Sequence, residues 1–521
     1  IQSLYSNIWH QGTVYPATAI AVPFLIELIA ANGTDHVVDV LDLLASCASG
    51  SGYLEVHGRM DSSRKHKESP EYQATIEKEL QAVYNAYDAV VNGLPTYINL
   101  LDHDDPKIRV TAASTISICY TRRQQASDAL KTRIQIDSDP DVTASLVGSL
   151  GYLLTYGDRR ADERPQLETN DNNLFVSWVN DADFPAKARA RAAQYLLQSG
   201  DDNGRRVGLN YINSLPDRPP IYLGWGLDSL YRTLSQYDLT TAIDWLTRMV
   251  TYGDIETLKR LSSLAAYTYG YYRTDPEPLF EIVAGLIFHE SREIRQQALV
   301  DLIIFHELAQ SLRPKLELAL YNDPKKFSDI TKFGTLQRLD RSSPSGFQTI
   351  DHLITHRGPK DMTVTALVNH IENYFEATNR NGLNIMDLFG ALGDDGPVAL
   401  NDKRTLPLLL RYIDYDDQWI RVRALRALAL IDPHTHLDDL KSGLIEEIRG
   451  RPVGLIAIDT ITLLAEQGID MTDALPKLKV MAESDIRQVE MGVYNTRVLE
   501  DEQLQALAQR AIDAITSQGE Q

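Results

Sequence analysis

A chain of 521 residues is too long for one compact core, so several domains or a repeat array are expected. Hydrophobic residues make up 43% of it, which excludes wholesale disorder. Lys and Arg number 51 against 72 Asp and Glu; the net charge of −21 disfavours nucleic acid and anionic membranes, whose affinities rest on phosphate contacts.

The chain opens with Ile8–Ala31, which reads as two apolar helical segments broken near Pro16 and Pro23. Pro16, Pro23 and Glu27 interrupt the apolar run Val14–Ala31, so it is expected to be core helix rather than a membrane span. A second apolar helix is expected at Val37–Ala48. Gly50–Pro70 is polar, glycine-rich and locally basic at Arg64–Lys67, the composition of a long mobile loop with solvated charge. Helical periodicity resumes over Glu71–Asn92. The two cysteines, Cys47 and Cys119, are too few for a disulfide framework or a Cys-based zinc site; they point to a reducing, cytoplasmic compartment.

From Leu94 onward one pattern recurs: a short helix, an acidic turn, then a second helix. It is most complete at Arg404–Ile431, where Thr405–Ile413 carries Leu406, Leu409, Leu410 and Ile413 at helical spacing. The turn Asp414–Asp417 follows, then Gln418–Ile431. The second helix of such a unit is expected at Lys107–Tyr120, and the same turn followed by a helix is expected within Asp137–Leu154, Asp181–Leu197, His289–Phe305 and Glu483–Leu499. Leu223–Leu234 and Pro452–Ala465 are apolar helices without the acidic turn. Residues 321–362 concentrate Pro, Gly and Ser and lose the periodicity. No stretch sustains period-2 alternation, so almost no sheet is expected.

The segments DDPKIRVTAASTI and DDQWIRVRALRAL resemble HEAT repeats, and QGTVYPATAIAVPFL is similar to the opening of bacterial HEAT-repeat proteins of undefined role. The resemblance implies an all-α, right-handed α-solenoid of HEAT-like antiparallel helix pairs. Its expected organisation is an N-terminal array over residues 1–320, an irregular segment or hinge at 321–362, and a C-terminal array over 363–521.

Three pairs, Asp105–Arg109, Asp417–Arg421 and Glu483–Arg487, place an acid four positions before a base. The acid suits a helix N-cap, and the base suits a partner for it or for the acid of the next hairpin. A row of arginines reading phosphate is the competing explanation. The most unusual segment is AAYTYGYYR, with Tyr267, Tyr269, Tyr271, Tyr272 and Arg273. These residue types are enriched at interface hot spots, so the segment is a candidate protein-binding patch, against helix packing or base stacking. Asp432, His434 and His436 have loop spacing compatible with a metal, but no further ligand is identifiable, and no metal or cofactor is expected. Phosphate loops, dinucleotide-binding glycine patterns, nucleophile elbows and HExxH are missing from the sequence.

The expected function is a non-catalytic protein-interaction scaffold that uses the concave face of the solenoid for a protein or peptide partner. The acidic surface suits a partly basic one. The fold resemblance also admits a HEAT-like DNA glycosylase or a bilin-lyase-type enzyme.

Overall fold

The computed structural model describes residues 2–31, 34–57, 69–156, 167–199, 201–217, 226–251, 253–332, 335, 405–415, 417–489 and 497–517. Helix dominates them. The sheet among the described residues is one antiparallel hairpin, β1 (Trp9–His10) and β2 (Thr13–Val14). It replaces the first helical segment expected from Ile8. The reason lies at Gln11 and Gly12, whose φ values of 49° and 91° give the tight two-residue link that a hairpin twist requires. Ser51 then ties to the hairpin, donating its N–H to Gly12 and accepting from that of Val14. Part of the expected loop is therefore ordered, and Tyr53–His57 is helical. Residues 58–68, including Arg64–Lys67, lie outside the described residues.

Helix α1 (Pro16–Ala30) runs through Pro23 without the expected break. Pro23 sits on the exposed face, where the loss of one helix hydrogen bond costs least. The described chain falls into two compact units. The first comprises Ile1–Asp61 and Glu68–Leu261, and the second begins at Ser262. The division lies inside a helix rather than at 321–362. Residues 333–404, Thr335 apart, are outside the described residues.

In the first unit α1 is followed by α2 (Val37–Ala48), α3 (Pro70–Asn92), α4 (Leu94–Leu100), α5 (Pro106–Ile116) and α6 (Arg123–Ile136). Then come α7 (Pro140–Thr155), α8 (Thr169–Asn180), α9 (Ala186–Leu197), α10 (Asp202–Asn213) and α11 (Gly226–Tyr237). The starts follow local chemistry. Asp105 and Asp139 each accept N–H groups of the first turn, and each precedes a proline whose missing N–H is no loss there. The second members of successive pairs, α2, α5, α7, α9 and α11, stack side by side in chain order. Leu41, Ile116, Leu146, Leu150 and Leu196 are fully buried in this stack. Each such leucine contributes about 1.5–3 kcal/mol through removal from water.

The second unit repeats the plan. Helix α12 (Glu277–Leu286) pairs with α13 (Arg292–Asp301). Later come α14 (Leu406–Tyr412), α15 (Gln418–Ile431), α16 (Leu437–Glu446), α17 (Pro452–Glu466), α18 (Leu475–Glu483) and α19 (Arg497–Ser517). Here α15, α17 and α19 stack, and one continuous core extends from Leu408 to Ile515. The fold is an all-α solenoid of stacked helix pairs. Among the described residues no helix is long and apolar enough to cross a membrane.

Candidate functional site

The recurrent acids and bases occupy two different roles. Asp105 accepts from the Lys107 N–H, and Asp417 from those of Trp419 and Ile420. The arginine one turn later turns away from the capping acid. Arg109 Nε donates to Asp137 at 2.9 Å, and its Nη1 donates to the carbonyls of His103 and Asp104. Arg421 does the same with Glu447 and the Tyr415 carbonyl. Arg295 also binds the two carbonyls of its preceding turn, at His289 and Glu290. Each guanidinium is buried and stitches its own turn to the next. Burial works against the charge on Asp137. The Asp139 N–H and the guanidinium groups of Arg109 and Arg133 outweigh it and hold the carboxyl below its ordinary range. A phosphate-reading row is not available from Arg109, Arg295 or Arg421, because all three are buried and their terminal nitrogens donate to internal acceptors.

Glu483 departs from the expected pattern. It is the last residue of α18, at a helix C-terminus rather than an N-terminus; the helix expected after it does not form over Ser484–Val489. That backbone pairs non-locally. Ile486 bridges Tyr272, the Arg487 N–H donates to the Tyr271 carbonyl, and Asp485 accepts from the Arg273 N–H. Arg487 is buried over the Tyr269 ring and donates to the Tyr269 carbonyl and to Asp501.

The same contacts correct the reading of Tyr267–Arg273 as a partner surface. Tyr269 and Tyr272 are buried, and Tyr269 stacks on Phe305 with ring centroids 5.0 Å apart. Tyr267 and Tyr271 stack on each other, half-buried. Arg273 is held by Asp501 and by main-chain carbonyls. The segment is an internal clasp, because Arg273 and the backbone around it meet Asp501 and main-chain groups more than two hundred positions away.

The concave candidate lies elsewhere, on the stacked second helices of the first unit. An open groove of about 750 Å³ is lined by residues of the β-hairpin, α2, α5, α7 and α9. Trp9 and Gly12 border it at the hairpin. Serines and glycine line much of it: Ser46, Ser114, Ser145, Gly148 and Ser149. Tyr152, Tyr195 and Arg191 close the far side. Small residues are what allow this geometry. A Cβ on Gly151 would stand 2.1 Å from the Tyr195 ring, so only glycine lets that ring lie on α7. The Tyr195 hydroxyl then donates to the Gly148 carbonyl at 2.9 Å. Tyr152 continues outward into a stack with Tyr156, at 4.4 Å between centroids.

Two charged groups line the groove among the described residues. Asp42 stands on α2, and burial followed by neighbouring Asp39 raises its pKa. Arg191 stands on α9, and burial lowers its pKa, against an opposing effect of Tyr195. None of these lining residues was singled out from sequence. The available signal was the pair Gly148 and Gly151 inside an otherwise strong helical pattern, where glycine implies close packing.

Elsewhere, Asp432 accepts from the Thr435 N–H and hydroxyl, and His436 lies 3.9 Å from Asp439. No group of three or more potential metal ligands occurs among the described residues. Cys47 and Cys119 are buried free thiols, each pushed up to about 12 by burial.

No family model matches the chain, and no curated protein matches it. Solved structures give weak likenesses. An engineered protein is 14% identical over 95% of this chain and 98% of its own, with a TM-score of 0.25. Kap121p bound to RanGTP is 13% identical over 90% of this chain, at a TM-score of 0.26; the match spans 54% of that protein. Importin beta is 12% identical over 99% of this chain and 66% of its own, again at 0.26. Scores of this size carry nothing about partners, and the fold stands on the helix pairs themselves.

Proposed function

We propose that this chain is a non-catalytic scaffold that holds an extended segment of a partner protein in the groove of its first unit. The observation that carries the reading is the groove itself: an open trough across four successive helix pairs, floored by small hydroxyl-bearing residues. Such a surface offers hydrogen bonds to a passing peptide backbone and leaves room for its side chains. Among the described residues its charged lining consists of one acid, Asp42, and one base, Arg191. That is too sparse for a phosphate backbone, and no nucleophile–base pair converges there. These features support a scaffold over a glycosylase or a bilin lyase.

The test is panning of a random dodecapeptide library on the whole protein. Ser114 is exposed on the groove floor, so Ser114→Trp blocks the trough while leaving the core untouched. Selected peptides are expected to bind the parent protein and to lose that binding in Ser114→Trp, at equal thermal stability. Failure to enrich any sequence, or peptides indifferent to the tryptophan, would overturn the reading.

A further inference from the structure

Arg191 differs from the arginines that hold the turns and the clasp. Arg109, Arg273, Arg421 and Arg487 each meet a carboxylate, and Arg295 meets three main-chain carbonyls. The bond of Arg191 within the described residues is a 3.3 Å contact from Nη1 to the Gln194 amide oxygen. The Gln194 amide nitrogen is itself committed to Ser229. A guanidinium carries five N–H donors, so most of this one is unspent. Its stem lies along Gly148, with Nε 3.8 Å from where a Cβ would be, and its head lines the groove. A partly buried cation without a counter-ion is costly to keep, and a ligand carboxylate removes that cost.

We infer that Arg191 is the specificity anchor of the groove and takes the carboxylate of an Asp or Glu side chain from the bound segment. This rests on the groove reading above. Carboxylate is favoured over phosphate by count: Arg191 is the one cation among the described lining residues, which matches a single bidentate carboxylate, whereas a dianionic phosphate calls for more positive partners. Asp42 at the opposite end disfavours a second acid. The bound segment therefore carries one acidic residue at the α9 end and a neutral or basic residue near α2.

The experiment uses the peptides selected on the whole protein. They are expected to share one Asp or Glu at a fixed position. Changing it to Asn or Gln should weaken binding to the parent protein roughly tenfold or more, as expected for a hydrogen bond to a charged group. Arg191→Gln should weaken the parent peptide by the same factor, and peptide and protein changes together should cost no more than either alone. Arg191→Lys, which keeps the charge but loses the fork, should fall between. If groove-dependent peptides carry no fixed acid, or if the acid and Arg191 act additively, the anchor is wrong and the groove reading stands. A phosphoserine peptide that outcompetes the Glu peptide would overturn the carboxylate assignment. Peptides insensitive to Ser114→Trp sink the groove itself.

Discussion

Arg273 Nε lies 2.8 Å from a carboxylate oxygen of Asp501, a residue 228 positions further along the chain. The remaining donors of Arg273 reach the second Asp501 oxygen and the carbonyls of Met481, Ala482 and Ser484, so all five are used. Asp501 is fully buried and also accepts from Arg487 and from the Gln488 N–H. A charge buried with this many partners is expensive to orphan. Asp501→Ala should destabilise the protein by roughly 3–5 kcal/mol, read as a fall in the denaturant midpoint, because two buried guanidinium groups lose their counter-ion. A midpoint near that of the parent would show that the clasp is not closed in solution.

The acidic turns separate two kinds of acid. Asp417→Ala removes a cap and should cost about 0.5–2 kcal/mol. Glu447→Ala removes the fully buried partner of Arg421 and Arg449 and should cost more, roughly 3–5 kcal/mol. Urea titrations of the two variants check the order. Equal losses would mean that the ladder adds nothing beyond the caps.

Glycine in this fold is position-specific. Gly151→Ala places a Cβ 2.1 Å from the Tyr195 ring and should destabilise by about 1–3 kcal/mol through overpacking. Gly285 is exposed in α12 with nothing within 4 Å of its Cβ position. Gly285→Ala should therefore stabilise by about 0.5–1 kcal/mol through helix propensity. Thermal melts of the pair should move in opposite directions.

His306 gives stability a pH dependence. It is buried, adopts φ 41°, and neither ring nitrogen has a hydrogen-bond partner among the described residues. Burial, and then the charge of Arg487, lower its pKa from 6.5, against a smaller opposing effect of Glu307. A histidine depressed in the folded state binds more protons when unfolded. Its contribution is therefore present above about pH 6.5 and is lost as pH falls below that value. His306→Gly, which also suits the positive φ, should flatten the stability profile between pH 7 and 5. An unchanged slope in that window would place the titrating group elsewhere.

Helix pairs are legible in this chain because their causes are local. Asp105 before Pro106, Asp139 before Pro140, and the apolar spacing of Leu406, Leu409 and Ile413 act within one or two turns, so neighbouring residues suffice to read them. The N-terminal hairpin escaped because the positive φ at Gln11 has no strong residue signature. What only the tertiary structure decided is which partner each long side chain meets. Arg109 and Arg421 could have paired with their own turn acids. They reach forward to Asp137 and Glu447 because stacking brings those acids within a guanidinium's length. Tyr269, Tyr272 and Arg273 carry the composition of a binding patch, yet folding buries them against residues from the end of the chain. The groove follows the same rule. Ser114, Gly148 and Arg191 come from three separate helices and form one surface only when those helices stack, a relation set by core packing over dozens of residues rather than by any motif.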